Sequence, residues 1–216
     1  MQLNNNPNDS SEMRYQMHSK ALDLFEAGEI IQGTKILQQL LRLNPKEPLV
    51  DHIKGFALSE LGLQNEAIPL LRRAARLLPP NKPEPRVTLA IALMREGNLP
   101  EAETILEQTL AANPDCPFTL TNLATCLLAL EKSPERAEQL LRKADLLTPN
   151  DQSTLANLGH ALAVQGKTAQ ADKTLLRAIR LAPHSAVVKQ IAAHHPHLAK
   201  DHRRPGNEDR NLPKPD

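Results

Sequence analysis

Five prolines stand at nearly constant spacing along the chain, and this regularity constrains the fold more than any other feature of the sequence. Successive separations between them are 34, 35, 35 and 34 residues. These prolines are Pro45, Pro79, Pro114, Pro149 and Pro183. A period of about 20 to 50 residues is typical of proteins built from stacked copies of one supersecondary unit. The sequence therefore predicts five structural repeats.

Each repeat carries the same residue types at the same distance before its proline. Eight residues before it lies a leucine: Leu37, Leu71, Leu106, Leu141 and Leu175. Twelve before it lies a very small residue: Gly33, Ala67, Ala102, Ala137 and Ala171. Seventeen before it lies a glycine in four repeats (Gly28, Gly62, Gly97 and Gly166), with Lys132 as the departure. Apolar residues at helical spacing flank this glycine column, so each repeat is predicted to be a helix, a tight turn and a second helix. The proline then stops the second helix.

Composition agrees with an all-helical chain. Leucine occurs 37 times and alanine 26 times among 216 residues, whereas aromatic residues make up 2%. Leucine and alanine are strong helix formers, and the residues that favour strands are few.

The formal net charge of +1 argues against a nucleic-acid binder, which needs a basic surface. Apolar stretches are too short to span a bilayer, and the first residues do not resemble a signal peptide, so we expect a cytoplasmic protein.

The columns resemble the tetratricopeptide repeat (TPR) family. In the fifth repeat the resemblance lies in Leu158-Gly159, Gly166, Ala171, Ala178 and Pro183. The second repeat has the same pattern in Gly55, Gly62, Ala67, Ala74 and Pro79. The resemblance implies an all-α, right-handed superhelical α-solenoid of about five helix-turn-helix repeats. It also implies a non-enzymatic protein–protein interaction module, with no cofactor.

The predicted organisation has a repeat region between two tails. We expect a loose N-terminal arm at 1–13, five TPR units within 14–183, a capping helix at 185–196 and a disordered tail at 198–216. The five units are about 14–47, 48–81, 82–116, 117–151 and 152–184. A capping helix is expected because the last repeat of an array otherwise exposes an apolar face.

The resemblance also implies where a partner binds, namely an apolar concave groove lined by the first helix of each repeat. The residues that match the groove-facing columns are Tyr15, His18, Leu22, Phe25, His52, Phe56, Ser59, Val87, Ile91, Met94, Phe118, Thr121, Thr125, Leu128 and His160. All four aromatic residues of the chain belong to this set. Such a groove would accept apolar side chains of an extended or helical peptide. Two alternatives stay open: the residues fill space between neighbouring helices, for which Leu22 and Phe25 are the strongest candidates, or the groove holds another copy of the chain.

Several chemical sites were weighed against this interpretation. TPR proteins that grip the acidic C-terminus of heat-shock chaperones need Lys and Arg in columns that here hold His18, His52, Val87 and Thr121, so that clamp is not expected. The histidines are predicted to be solvated groove residues, with a pH-sensitive grip as the alternative. A histidine cluster at His194, His195, His197 and His202 lacks a scaffold for a metal. Cys116 and Cys126 are expected to be unpaired thiols, with Cys126 in the core.

The sequence thus predicts a scaffold that binds a protein or peptide ligand, without nucleic acid, membrane insertion, metal or catalytic residues. Two other functions stay open: a chaperone for secreted or assembling client proteins, and an accessory subunit of an enzyme complex. At the local level, Ser133 is predicted to cap the second helix of the fourth repeat, ahead of Pro134 and Glu135.

Overall fold

The structure, a computed structural model, describes residues 7–27, 29–43, 48–183 and Leu198. Over these residues the chain forms ten α-helices and no strand. The helices are α1 (Pro7–Glu26), α2 (Ile30–Leu43), α3 (Pro48–Glu60), α4 (Gln64–Leu77), α5 (Glu84–Glu96), α6 (Leu99–Ala112), α7 (Pro117–Ala129), α8 (Pro134–Leu147), α9 (Gln152–Val164) and α10 (Thr168–Leu181). The predicted all-α class and the division into helix pairs are confirmed.

The helices belong to two compact units, Met1–Asn122 and Leu123–Asp216. In the first unit α1 packs on α2, α3 on α4, and α5 on α6, which are the two helices of one repeat in each case. The first helices also contact one another, because α3 touches both α1 and α5. In the second unit α9 packs on α10 and on α8. Within each unit, pairs that are neighbours in sequence are thus neighbours in space, as expected for stacked repeats.

The glycine column forms the turn between the two helices of a repeat. Gly62, Gly97 and Gly166 have positive φ angles of 78°, 91° and 75°, which glycine adopts without strain. The fourth repeat lacks this glycine, and Glu131 and Ser133 take the left-handed conformation instead, with φ angles of 53° and 43°. Ser133 does precede α8, but its side chain makes no capping hydrogen bond. Ser133 thus occupies the predicted N-cap position, with Pro134 and Glu135 in the first turn, but in its left-handed conformation the side chain does not cap the helix.

Close packing inside a repeat depends on small residues in the first helix. A Cβ atom added at Gly55 would lie 2.6 Å from Cγ of Leu71, and one added at Gly159 would clash with Cγ of Leu175. Both leucines belong to the leucine column of the second helices and are fully buried. In both repeats the leucine of the second helix thus occupies the space that a side chain on the first helix would need. This explains why glycine stands opposite the leucine at these two positions.

The second unit is further joined by an ion cluster around Glu138. Its carboxylate accepts hydrogen bonds from Lys167 at 2.7 Å, Arg142 at 2.8 Å and Gln165 at 2.9 Å. Burial raises the pKa of Glu138, but the hydrogen bonds from Lys167, Arg142 and Gln165 outweigh it and hold the pKa at about 2. The cluster links α8 with the turn between α9 and α10, so it fixes two neighbouring repeats to each other.

The ends of the chain differ from the sequence prediction where they are described. Helix α1 begins at Pro7, so half of the predicted loose arm at 1–13 is helical. Leu198, the first residue of the predicted disordered tail, is buried in a cluster with Leu155, Leu175 and Ile179. Apolar contact with the last repeat thus extends to this residue. The predicted capping helix at 185–196 and the rest of the tail lie outside the described residues.

Replacement of Gly159 by alanine tests the packing inside a repeat. We expect Gly159→Ala to lower the free energy of unfolding by about 1–3 kcal/mol, because the added methyl group collides with Leu175. Urea unfolding followed by circular dichroism measures the change.

The control repeats the substitution in a Leu175→Ala background, where the collision is absent. There Gly159→Ala should stabilise the chain by about 0.5–1 kcal/mol, since alanine has the higher helix propensity. The same sign of effect in both backgrounds would contradict this account of the packing.

Candidate partner-binding groove

The first unit contains a cavity of about 470 Å³ that is open to solvent and is formed by the first helices of its repeats. It is lined by Ser19, Leu22, Asp23, Phe56, Ser59, Glu60, Glu84, Thr88, Ile91, Arg95 and Phe118. These residues come from α1, α3, α5 and the start of α7. We call this cavity the first-helix groove. It forms there because α1, α3 and α5 lie side by side, with α3 between the other two.

The apolar surface of the groove comes from one residue on each helix. Leu22 on α1, Phe56 on α3 and Ile91 on α5 are half-buried, and Phe118 on α7 is 43% exposed. Phenylalanine is among the residues that are most often buried in folded proteins, and this chain has three of them. At this exposure a large part of the Phe118 ring surface is available to a ligand.

Charged side chains form the rim of the groove. Asp23, Glu60 and Glu84 contribute carboxylates, and Arg95 contributes one guanidinium. Arg95 donates to Oε1 of Glu60 at 2.7 Å and to the carbonyl oxygen of Ser59 at 3.1 Å. The single cation among the residues that line the groove is therefore already paired within the protein.

A second cavity of about 240 Å³ shares Ser19, Leu22 and Glu84 with the groove. Tyr15 lies in this second cavity, and the ammonium nitrogen of Lys82 stands 4.7 Å from the centre of its ring. This distance is typical of a cation–π contact. Tyr15 also packs against the buried cluster of Leu49, Ala74 and Leu78, so it joins repeats one and two rather than standing free.

A buried hydrogen-bonded chain connects the three first helices beneath these cavities. The ring nitrogens His18 Nε2 and His52 Nδ1 are 2.6 Å apart, and His52 Nε2 is 2.8 Å from Oγ1 of Thr88. The Thr88 hydroxyl donates its proton to the carbonyl oxygen of Glu84, so it accepts from His52 Nε2. With both rings neutral, His52 Nδ1 accepts from His18 Nε2, and each ring carries a proton on Nε2.

This burial has an electrostatic consequence. Burial, and secondarily the positive charge of Lys82, lowers the pKa of His18 to about 4. Burial, and secondarily the neighbouring His18, holds the pKa of His52 well below its usual value. Besides Lys82, the charged groups that line the second cavity are Glu12 and Glu84. The prediction that His18 and His52 are solvated is wrong, because their equal register in adjacent repeats brings the rings together inside the helix stack.

Acidification should consequently destabilise the first unit. The folded-state pKa of His18 lies below its unfolded value of 6.5, so its contribution to stability is complete above pH 6.5 and is lost as the pH falls toward 4. Between pH 7.5 and 5 we expect the free energy of unfolding to fall by about 2 kcal/mol through His18 alone, by the conversion of 1.36 kcal/mol per pKa unit. Urea titrations at the two pH values measure this.

Two variants separate this effect from the titration of carboxylates. His18→Leu/His52→Leu should lose most of the pH dependence, because neither replacement can bind a proton. His160→Gln, at an exposed histidine of the second unit, should retain all of it. Equal pH dependence in the two variants and the natural chain would contradict the assignment.

The fifteen predicted groove residues fall into distinct places. Those that line the first-helix groove are Leu22, Phe56, Ser59, Ile91 and Phe118. Those that line the second cavity are Tyr15, His18 and, again, Leu22. Those that are fully buried are His52 and Val87. Those of the first unit that are half-buried outside both cavities are Phe25, Met94 and Thr121. Those that belong to the second unit are Thr125, Leu128 and His160.

Phe25 matches the space-filling alternative. Its ring packs with the buried cluster of Ala21, Leu40, Val50 and Ile53, and a Cβ added at Gly33 would lie 3.1 Å from it. The glycine of the small-residue column thus accommodates the phenylalanine inside the first repeat. Phe25 is a core residue of that repeat.

The sequence reasoning missed the polar half of the groove. Ser19, Asp23, Glu60, Glu84, Thr88 and Arg95 line it but were not predicted. Five of them are the immediate sequence neighbours of predicted residues: Ser19, Asp23, Glu60, Thr88 and Arg95. A wider helical face, one position to each side of the predicted columns, would have included them.

The other predicted sites can also be placed. Nδ2 of Asn122 donates to the carbonyl oxygen of Phe118 at 2.8 Å, and Nδ2 of Asn157 donates to Thr125 at 3.0 Å. These amides thus serve internal contacts. Cys116 and Cys126 form no disulfide bond, and Cys126 is fully buried, as predicted.

The described residues also bear on metal binding and membrane insertion. Within the described residues no group of three or more His, Cys, Asp or Glu side chains could hold a metal ion. The histidine cluster at 194–202 lies outside them. Of the helices described above, none has both the length and the apolar character required to cross a membrane.

Comparison with known families identifies the class of this fold. Paired helices joined by glycine turns, with matched columns of leucine and small residues, define an α-solenoid repeat protein. The tetratricopeptide repeat family matches residues 59–117, and it matches again at 153–185. Over these two segments the chain consists of tetratricopeptide repeats. No curated protein matches it in sequence.

Solved structures with this fold are numerous. A thermophilic TPR protein of Thermus thermophilus, TTC0263, is 18% identical with a TM-score of 0.68, over 83% of this chain and 97% of that one. Pseudomonas aeruginosa pilF is 17% identical with a TM-score of 0.60, over 89% and 97%. YrrB, described as a TPR protein with an unusual peptide-binding site, is 16% identical with a TM-score of 0.54, over 82% and 90%. At these identities the similarity shows the fold. The chain is, in general terms, a protein-interaction scaffold.

Proposed function

We propose that the chain binds a segment of a partner protein in the first-helix groove, with Phe56 and Phe118 as the apolar anchors. The observation that carries this proposal is the exposed ring of Phe118 in a cavity of about 470 Å³ whose other apolar walls are Leu22, Phe56 and Ile91. Aromatic residues in such a cavity supply a large contact area at a small cost in conformational entropy. The volume accommodates a few side chains of a peptide.

The groove has a fixed base. Val87 is fully buried, and the buried His18–His52–Thr88 chain ties α1, α3 and α5 together. A binding surface whose supporting side chains are held in place requires little reorganisation when a ligand arrives. The peptide-binding site named for YrrB supports the same general use of this fold.

The alternative functions would employ the same surface. A chaperone would hold a segment of a client protein there, and an accessory subunit would hold a segment of its enzyme. Self-association would place part of a second copy in the groove. We further propose a cytoplasmic location, because Cys116 and Cys126 form no disulfide bond, as is usual in a reducing compartment.

Removal of the two aromatic anchors tests the proposal. Affinity capture with the natural chain and with Phe56→Ala/Phe118→Ala should show loss of the partners that use the groove, with binding at least about tenfold weaker because two buried rings are removed from the interface. The matched control is Leu61→Ala/Leu146→Ala, which removes two exposed leucines outside the groove and should leave the partners unchanged.

Folding is checked by circular dichroism for all variants, and sedimentation of the natural chain reports self-association. An unchanged set of partners for a folded Phe56→Ala/Phe118→Ala variant would contradict the proposal. A dimer that dissociates on the same substitution would identify a second copy as the occupant.

A further inference from the structure

We infer that the first-helix groove selects a partner segment in which a basic side chain, Lys or Arg, is set among apolar residues. This inference rests on the proposed function and adds the chemistry of the occupant. It follows from the charges of the rim and from the position of two of them on the helices that flank Phe56. In addition, two of these carboxylates have no counterion among the described residues.

The rim of the groove is acidic. Three carboxylates, on Asp23, Glu60 and Glu84, stand against one guanidinium, on Arg95, so the rim has three negative charges less one positive, an excess of two. Arg95 is the partner of Glu60. Among the described residues, none forms a hydrogen bond or ion pair with the carboxylate of Asp23 or of Glu84. These two charges are therefore available to a ligand.

The excess is a local property of the groove. The whole chain has a formal net charge of +1, with 26 basic and 25 acidic side chains, so an average surface would be close to neutral. Lys82 lies in the second cavity and is held over the Tyr15 ring. Lys82 does not line the groove, so Arg95 is the one cation among the residues that do.

The two carboxylates are also placed to act on a single occupant. Asp23 is on α1 and Glu84 is on α5, while Phe56 is on α3 between those helices. A segment that covers Phe56 therefore runs between the two carboxylates. Lysine and arginine suit this arrangement, because the aliphatic stem can pack on an apolar surface while the charged end reaches the rim. An acidic segment would be repelled by the same groups.

Selection from a peptide library tests the inference whatever the identity of the natural partner. A random twelve-residue library displayed on phage is selected against the full chain, and clones that also bind Phe56→Ala/Phe118→Ala are removed. We expect the remaining sequences to be enriched at least threefold in Lys and Arg, next to Leu, Ile, Met or Phe, and depleted in Asp and Glu. Recovery of neutral or acidic sequences would overturn the inference.

Charge-neutralising variants then identify the carboxylates. Asp23→Asn/Glu84→Gln should weaken binding of the best selected peptide about tenfold at low salt and abolish most of the salt dependence of its affinity. The matched control, Glu66→Gln/Glu96→Gln, removes two exposed carboxylates of the same unit outside the groove and should leave the affinity within about twofold.

The outcomes separate this inference from the proposed function. Selected peptides that need Phe56 and Phe118, but bind equally well after Asp23→Asn/Glu84→Gln, would leave the groove as the binding site and overturn the selectivity for a cation. A library that yields no peptide dependent on Phe56 and Phe118 would overturn the proposed function, and the inference with it. An equal loss of affinity in the test and control variants would show that the effect comes from the overall charge of the chain. That result would contradict the inference.

Discussion

The contact between a leucine of the second helix and a very small residue of the first is the constraint on which the structure depends. At Gly55 and Leu71, and again at Gly159 and Leu175, the leucine side chain occupies the space where a Cβ atom would stand. The two helices of a repeat can therefore approach closely. Each closely packed pair then stacks on the next through both of its helices, since α3 and α4 both contact α5, and α1, α3 and α5 come to lie side by side. The groove exists because of that arrangement.

The same constraint explains the composition. Helices packed at this distance leave room for leucine and alanine and little room for rings, so the aromatic content is only 2%. Each ring has a specific place. Phe25 fits against Gly33, which has no side chain to obstruct it, and Tyr15 lies beneath Lys82. Phe56 and Phe118 lie in the groove. Two of the four rings thus serve packing between or within repeats, and two face the space where a ligand would bind.

The fold was predictable from the sequence because its determinants are local and periodic. Proline, glycine and leucine columns act within one repeat, and five repeats give the same signal five times. The turn of the fourth repeat was not predictable in detail, since the inserted residue transfers the left-handed conformation from a glycine to Glu131 and Ser133. Burial of His18 and His52 was also missed. Equal register shows that two residues are neighbours, but it does not show on which side of the helix layer the rings meet.

The groove itself was partly predictable. The groove-facing columns implied by the TPR resemblance included Phe56, Ile91 and Phe118, which all line the groove. They did not locate Asp23, Glu84 or Arg95, because a charged residue on a helix is usually a solvated one and its pattern alone does not reveal a role. The distribution of charge around the groove depends on how three helices from different repeats come together, and that is a property of the folded chain.

Hydrogen–deuterium exchange of the full chain, with and without a groove-dependent peptide carrying a central arginine, tests the central claim most directly. We expect slower amide exchange in α1, α3 and α5 when the peptide is bound, because their side chains form the groove. The exchange rates in α4 and α6 should change little. Protection concentrated in α4 and α6, with α1, α3 and α5 unchanged, would contradict the claim that the first helices carry the binding surface.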